Sequence, residues 1–212
     1  MIHKIIRHLD YFLLRFSFNP IDRFAIPMQM SKRERMYVAN SIRGKSNFLE
    51  IGSGYSTLWF SQFVCHIISV ESRKEWFDKI NELLKYHKIS TVQLFHFPPE
   101  EFAYNDDGSE KWSNRNTSEG SDYGTAEEFS GYLRDIEELV STNRFDVILV
   151  DGNVREEIIR MLHQKKYAGI LLLHDVEPQR DYLNKKILTM EGVKIVKKVD
   201  TLVELAINNH SS

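Results

Sequence analysis

The segment FLEIGSGYST, residues 48–57, carries the residues with the clearest chemical potential. Glu50 lies in a short apolar run, and Gly52, Ser53 and Gly54 follow that run directly. Glycines at such a place let the backbone turn sharply and approach a ligand closely. The free N–H groups at the start of a following helix suit a carboxylate or a phosphate. The pattern therefore predicts a ligand-binding turn between a strand and a helix.

A second acidic residue, Glu71, ends the next apolar run. A carboxylate at that place has the reach to accept hydrogen bonds from ribose hydroxyls. The dinucleotide-binding fingerprint requires a third glycine where this sequence has Thr57. Glu50 would also repel a pyrophosphate, whereas it would attract the amino group or the sulfonium of S-adenosylmethionine. The residues therefore favour this methyl donor over NAD as the ligand.

Three more polar residues follow apolar runs in the C-terminal half of the chain. Asp151 follows the run 145–150, and His174 and Asp175 follow the run 169–173. Histidine titrates near neutral pH, so His174 or Asp151 is predicted to remove a proton from an acceptor hydroxyl, with Asp175 beside them. The alternative for His174 is a structural hydrogen bond at the end of a strand.

Three residues are candidates for binding the acceptor. Arg155 either clamps a carboxylate or phosphate of the acceptor or is a solvated residue in the first turn of a helix. Trp112 and Tyr123 belong to the almost wholly polar stretch 105–124. Long polar segments in compact domains are usually lids or disordered insertions. An aromatic side chain on a closing lid could stack on a ring or a sugar, and an exposed variable loop is the alternative.

The elements that must position these residues alternate between strands and helices. Apolar runs predict strands at 48–51, 67–70, 91–97, 145–150, 169–173, 193–199 and 202–207, and helical patterns occupy 32–41, 57–63, 75–86, 126–141, 156–164 and 182–190. Ser31 and Glu34 form a predicted capping box at the first of these helices. The order predicts an α/β fold, a doubly wound and mostly parallel sheet with helices on both faces. The last two strands are too close for a crossover helix, so we expect an antiparallel edge strand.

The bulk composition fits one globular domain. The chain has 212 residues, of which 42% are hydrophobic and 27% are charged. Residues 31–212 form the predicted domain, with the polar insertion at about 100–125, and residues 1–30 form an amphipathic N-terminal helix and a linker. Apolar residues of the first 18 positions share one helical face. That helix is expected to pack on the domain or on a second copy, or to lie on a membrane surface.

Charge and cysteine content limit the partners and the compartment. A net charge of -2 does not provide a surface that neutralises many phosphates, so nucleic acid is not an expected partner. The lone cysteine, Cys65, cannot form an internal disulfide. This fits a reducing compartment, and we expect a cytoplasmic location. No apolar run of the sequence reaches the length of a membrane span.

Over residues 31–207 the chain resembles the class I S-adenosylmethionine-dependent methyltransferases. The likeness rests on FLEIGSGYSTLWFS, SVESRKEW and FDVILVDGNVR…GILLLHDVE, which look like a branch of small methyltransferase-like proteins. The resemblance implies that Glu50, Gly52 and Gly54, with Ser53 and Thr57 in the same segment, hold the methionine end of the cofactor. It also implies that Glu71 binds the ribose. The short HDVE segment is similar to enzymes that methylate uronic acids of polysaccharides.

A divalent metal is an alternative that the resemblance raises. Metal-dependent relatives of the catechol and caffeoyl-coenzyme A type carry carboxylates where this chain has Asp151 and Asp175, and such a pair would suit magnesium or calcium. Their amide ligand is replaced here by Val176, and their lysine base by Val154 and Arg155. Arginine stays protonated and cannot act as a base. A metal is therefore not favoured.

The predicted function is methyl transfer from S-adenosylmethionine to an oxygen of a small molecule or a sugar. Relatives that methylate nitrogen or carbon often carry an Asn/Asp-Pro-Pro-aromatic motif, where this chain has the segment 151–154, DGNV. Two alternatives remain open. One is an inactive methyltransferase-like binding or scaffold protein that uses its N-terminal helix for assembly or membrane contact. The other is an NAD(P)-dependent oxidoreductase, which Thr57 disfavours.

Overall fold

The computed structural model describes residues 29–111, 124–176 and 186–208. The helices are α1 (Lys32–Ile42), α2 (Tyr55–Phe60), α3 (Lys74–Tyr86), α4 (Ser130–Thr142) and α5 (Arg155–Gln164), with a 3-10 turn at Glu101–Ala103. The strands are β1 (Phe48–Ile51), β2 (Ile67–Glu71), β3 (Val92–His96), β4 (Val147–Val150), β5 (Ile170–Leu173), β6 (Val193–Val199) and β7 (Leu202–Ile207). The alternation of strands and helices expected from the sequence is confirmed.

All seven strands form one sheet in the order β3-β2-β1-β4-β5-β7-β6. The first five strands pair in parallel, and β7 runs antiparallel to both β5 and β6. The doubly wound, mostly parallel sheet with an antiparallel edge is therefore confirmed. The strand order reverses between β1 and β4, and in open α/β sheets ligands bind in the crevice at such a reversal.

Apolar cores cover both faces of the sheet. One core joins alternate strand residues to α4 and α5, through Leu49, Ile51, Val150, Leu173, Ile136 and Ile158. The other joins apolar strand residues of the opposite face to α1 and α2, through Phe48, Leu149, Leu172, Val38, Ile42 and Phe60. Every residue of β1, β2 and β4 is buried, as expected for strands that helices cover on both sides. The prediction of helices on both faces is confirmed.

Of the helices α1 to α5, two differ from their expected bounds by two residues or more, and hydrogen bonds fix the turns where they begin. The helix expected at 57–63 begins at Tyr55 and ends at Phe60, since Thr57 Oγ1 accepts the Gly54 N–H and closes the first turn. The helix expected from 126 begins at Ser130. A separate turn precedes it, in which the backbone N–H groups of Thr125 and Glu128 each donate to the other's side chain.

Part of the expected polar insertion belongs to the described fold. Tyr104 forms a β-bridge with Glu110, and Glu110 accepts a hydrogen bond of 2.7 Å from Arg73 Nε. The candidate residues Trp112 and Tyr123 lie outside the described residues, as does the predicted N-terminal helix. Of the helix expected at 182–190, the structure describes residues 186–190, of which 186–188 are helical and 189–190 are not. Among the described helices, none is long and apolar enough to cross a bilayer.

Candidate functional site

The parallel register brings the ends of four strands to one edge of the sheet. Ile51 pairs with Val70 on one side and with Val150 on the other, and Val150 pairs with Leu173. The loops that follow β1, β2, β4 and β5 therefore start side by side. This register therefore brings the candidate residues Glu71, Asp151 and His174 to the same edge of the sheet.

The first of these loops turns at Gly52, whose φ is +102°. A Cβ atom there would lie 2.6 Å from the backbone carbon of Asp151 and from the backbone nitrogen of Gly152. Only glycine lets the loop after β1 touch the loop after β4. Gly54 differs, because its backbone is extended and a Cβ atom would meet only Ser56 Oγ, at 3.7 Å. The described fold itself does not require a glycine at Gly54.

Glu50 lies beneath this loop and is fully buried. Its carboxylate accepts hydrogen bonds from Ser56 and Ser69, each of 2.8 Å, and from Thr57. Burial raises the pKa of Glu50 to about 7, against the lowering effect of the three hydroxyl groups, and the charge of Asp151 adds to the rise. Glu50 and Thr57 therefore support the turn from the interior.

Glu71 joins the loops after β1 and β2. Its side chain is buried, Oε1 accepts the Arg73 N–H at 2.8 Å, and Oε2 accepts the Ser53 hydroxyl at 3.2 Å. Burial raises the pKa of Glu71 to about 7, against hydrogen bonds that lower it. Asn153, from the loop after β4, donates at 3.0 Å to Ser72. Three loops are thus linked around one buried carboxyl.

His174 lies at the centre of a charged cluster. Its Nδ1 is 2.8 Å from Asp151 Oδ1 and 3.3 Å from Asp175 Oδ1. The His174 side chain is 2% exposed, whereas the two aspartate side chains are 22% and 19% exposed. Burial lowers the pKa of His174, but the bond to Asp151 and the charges of Asp151, Asp175 and Glu34 outweigh it and raise the pKa. The aspartates, and not the ring, present the accessible atoms of this cluster.

Arg155 is buried behind the same cluster. Its Nε donates to the Gly152 carbonyl and its Nη1 to the His174 carbonyl, both at 2.9 Å, and its Nη2 lies 3.3 Å from Asp175 Oδ2. The alternative of a solvated residue in the first helical turn is therefore wrong. Arg155 ties the loops after β4 and β5 together, and its role as a clamp for the acceptor stays a prediction.

Both of these loops contain a residue in a costly backbone conformation. Val154 has φ +46° and Asp175 has φ +61°. The left-handed region is unfavourable for residues other than glycine, and most of all for β-branched residues such as valine. Strain of this kind gathers at functional sites, where the surrounding contacts maintain it.

Glu34 is a residue of this region that sequence reasoning did not assign to it. The predicted capping box is present, since Oε2 of Glu34 accepts the Ser31 N–H at 2.6 Å. Oε1 also accepts the N–H and the hydroxyl of Thr201, at 2.6 and 2.7 Å. Oε2 lies 3.6 Å from Nε2 of His174. No pattern in the sequence indicates this contact between Glu34 and His174, because the capping box alone accounts for a glutamate at that position.

The metal alternative can be tested against the donor set. Asp151, His174 and Asp175 offer ligand atoms within 4.8 Å of one another. However, Nδ1 of His174 contacts both aspartates, and Arg155 contacts Asp175 on its other oxygen. The His174 ring and the Arg155 guanidinium already contact the carboxylate oxygens that a metal would need, so the residues as arranged do not fit a divalent ion.

A cavity of about 590 Å³ lies at the opposite end of the sheet, lined among others by Asp146, Gly169 and Glu204. It contains none of the predicted site residues. The candidate site is therefore the open edge formed by the four loops and not this cavity.

No protein-family model and no curated protein sequence matches the chain. Solved structures do match. A methyltransferase-like protein from Silicibacter pomeroyi aligns with a TM-score of 0.63 and 18% identity, over 85% of this chain and 88% of that one. An O-methyltransferase from Bacillus cereus in complex with SAH aligns with a TM-score of 0.56 and 12% identity, over 95% of this chain and 97% of that one. The chain thus has the fold of the class I S-adenosylmethionine-dependent methyltransferases, as the resemblance predicted.

Proposed function

We propose that the protein transfers a methyl group from S-adenosylmethionine to an oxygen of a small molecule or a sugar. The observation that carries this proposal is the meeting of the Gly52 loop, Glu71 and Asp151 at the point where the strand order reverses. Sheets of this kind bind ligands there. The Bacillus cereus enzyme of the same fold, solved with SAH, adds support.

The loops after β1 and β2 form the donor half of the site. The bound donor would supply a methyl group activated by its sulfonium. Ser53 and Gly54 would face the methionine end, since apart from its chain neighbours only Ser56 Oγ lies within 4 Å of where a Cβ of Gly54 would be. Glu71 would accept hydrogen bonds from the ribose hydroxyls. Glu50 and Thr57 hold this loop in place from beneath.

The loops after β4 and β5 form the acceptor half. A general base must come within hydrogen-bond distance of the proton that it removes. Asp151 is partly exposed and His174 is buried, so we assign to Asp151 the acceptance of the proton that the hydroxyl loses. His174 orients the Asp151 carboxylate through the 2.8 Å hydrogen bond at Nδ1. Fixed geometry of this kind supplies much of the rate of a displacement reaction.

Calorimetric titration with S-adenosylmethionine, SAH and NADH tests the donor half. We expect micromolar affinity for the first two ligands and none for NADH. Gly52→Ala should abolish binding, because its Cβ would clash with the backbone of Asp151. Gly44→Ala is the matched control, because Gly44 also has a positive φ, of +74°, but no neighbour within 4 Å of the added atom. A wild-type protein that binds neither S-adenosylmethionine nor SAH would overturn the proposal.

The acceptor is sought next. The protein is incubated with isotopically labelled methyl donor and with hydroxyl compounds, including acidic sugars, and methylated products are detected by mass spectrometry. We expect transfer to oxygen that Asp151→Asn lowers by about a hundredfold, the usual effect of removing a general base. Transfer to nitrogen alone would refute the assignment to oxygen.

A further inference from the structure

Carboxylates face both ring nitrogens of His174. Asp151 contacts Nδ1, and on the other side Glu34 Oε2 lies 3.6 Å from Nε2. Nε2 is buried and has no hydrogen-bond partner among the described residues. Glu34 itself is 2% exposed. From this arrangement we propose that Glu34 is a positioning residue, which fixes the His174 ring and, through it, the Asp151 carboxylate.

The other charged groups around the ring support this role. Asp175 lies 3.3 Å from Nδ1, and Arg155 donates to the backbone carbonyl of His174. Three carboxylates therefore face the imidazole, and they favour the form in which both ring nitrogens carry a proton. In that form Nδ1–H donates to Asp151, and the protonated Nε2 lies 3.6 Å from Glu34 Oε2. The raised pKa of His174 agrees with this geometry, because these charges outweigh the opposing effect of burial.

Glu34 can act in this way because its own carboxylate is held firmly. It accepts hydrogen bonds from the Ser31 N–H and from the N–H and hydroxyl of Thr201. The first turn of α1 and the turn between β6 and β7 thereby hold the ring in place from outside the loops of the site. That Asp151 serves methyl transfer rests on the proposed function, whereas the effect of Glu34 on His174 does not.

Nuclear magnetic resonance of the histidine rings tests the effect directly. The full chain is labelled with ¹⁵N-histidine, and the His174 signals are assigned by their loss in His174→Gln. In the wild type we expect both ring nitrogens of His174 to be protonated at pH 7. In Glu34→Gln, which keeps an acceptor for the capping box, the pKa of His174 should fall by about one unit. Ser31→Ala is the control, since it removes the capping hydroxyl and leaves the Glu34 carboxylate.

Each outcome of this experiment either supports or contradicts the positioning role of Glu34. A wild-type ring with an unprotonated Nε2 at pH 7, or an equal fall in pKa in Ser31→Ala, overturns the role of Glu34. Neither result depends on whether the protein binds a methyl donor. If the wild type fails to bind SAH but the His174 pKa falls in Glu34→Gln alone, the proposed function fails and the positioning role stands. With an acceptor in hand, Glu34→Gln should lower kcat about tenfold and leave the Kd of SAH unchanged.

Discussion

Glu71 is a carboxyl group that folding makes harder to ionise. Its pKa rises from 4.5 to about 7 because burial outweighs the hydrogen bonds to its oxygens. The folded state therefore binds the proton more tightly than the unfolded state. This costs nothing below pH 4.5, where both states are protonated, and the full cost applies above pH 7. A residue kept in place at such a cost is typical of a functional site.

We predict that Glu71→Gln raises the free energy of unfolding at pH 8 by about 1–3 kcal/mol, because a neutral amide avoids the cost of burying a charge. The gain should vanish at about pH 3, well below the unfolded-state pKa of 4.5, where the wild-type carboxyl is also neutral in both states. Urea denaturation at the two pH values measures the gain at high pH and its absence at low pH. Glu75→Gln, on an exposed position of α3, is the control and should have no such pH-dependent effect. A loss of stability at pH 8 would contradict the prediction.

At the scale of elements, α2 depends on one hydroxyl group. Helix α2 has six residues, and it begins directly after the loop that approaches the proposed donor. The Thr57 hydroxyl donates to the buried carboxylate of Glu50 and accepts the Gly54 N–H. One side chain therefore satisfies a buried acid and closes the first turn of the helix. A short helix without such a bond has little stability of its own.

Replacing Thr57 by valine keeps the shape and removes the hydroxyl. We predict a loss of about 2 kcal/mol in the free energy of unfolding, because Glu50 stays buried with one donor fewer. The affinity for SAH should fall as well, since the Gly54 N–H loses its acceptor. Thr57→Ser retains the hydroxyl and should recover most of both losses. Urea denaturation and calorimetry measure the two effects, and equal losses in the serine and valine variants would argue against the role of the hydroxyl.

At the scale of the whole molecule, the buried ionisable groups of the site make the folded state less stable as the pH becomes alkaline. The raised pKa values of Glu50 and Glu71 remove stability as pH rises from 4.5 to 7. The raised pKa of His174 adds stability that is complete below 6.5 and is lost as pH rises through the folded-state value. The lowered pKa values of Glu34 and Asp146 act in the other direction, with stability lost as pH falls below 4.5 for Glu34 and below 3.8 for Asp146.

We therefore predict that the free energy of unfolding is highest near pH 5 and decreases toward pH 8. Chemical denaturation across that range, at constant ionic strength, measures the curve. The double variant Glu50→Gln/Glu71→Gln is the comparison and should have a flatter profile between pH 5 and 7. A wild type that is more stable at pH 8 than at pH 5 would contradict this balance.

The sequence predicted the layers of the fold better than it predicted which side chains are buried. Continuous apolar runs identify buried strands, and the spacing between runs distinguishes a crossover helix from a hairpin, so the sheet and its antiparallel edge followed. The burial of a side chain depends on packing between elements that are distant in the sequence. Glu50 and Arg155 are residue types that often bind ligands, yet both are buried in the fold. The contact of Glu34 with His174 joins two ends of the chain that no local pattern connects.

We expect the close approach of Gly52 to the backbone of Asp151 to make the two halves of the proposed site cooperative. No side chain separates the loops, so neither loop can move far without displacing the other. A ligand that orders one loop has then already met part of the entropic cost of ordering the other, and the second ligand binds more tightly. We expect SAH to slow amide hydrogen exchange in residues 151–154 as well as in its own loop. By reciprocity, the acceptor should increase the affinity for the donor by the same factor.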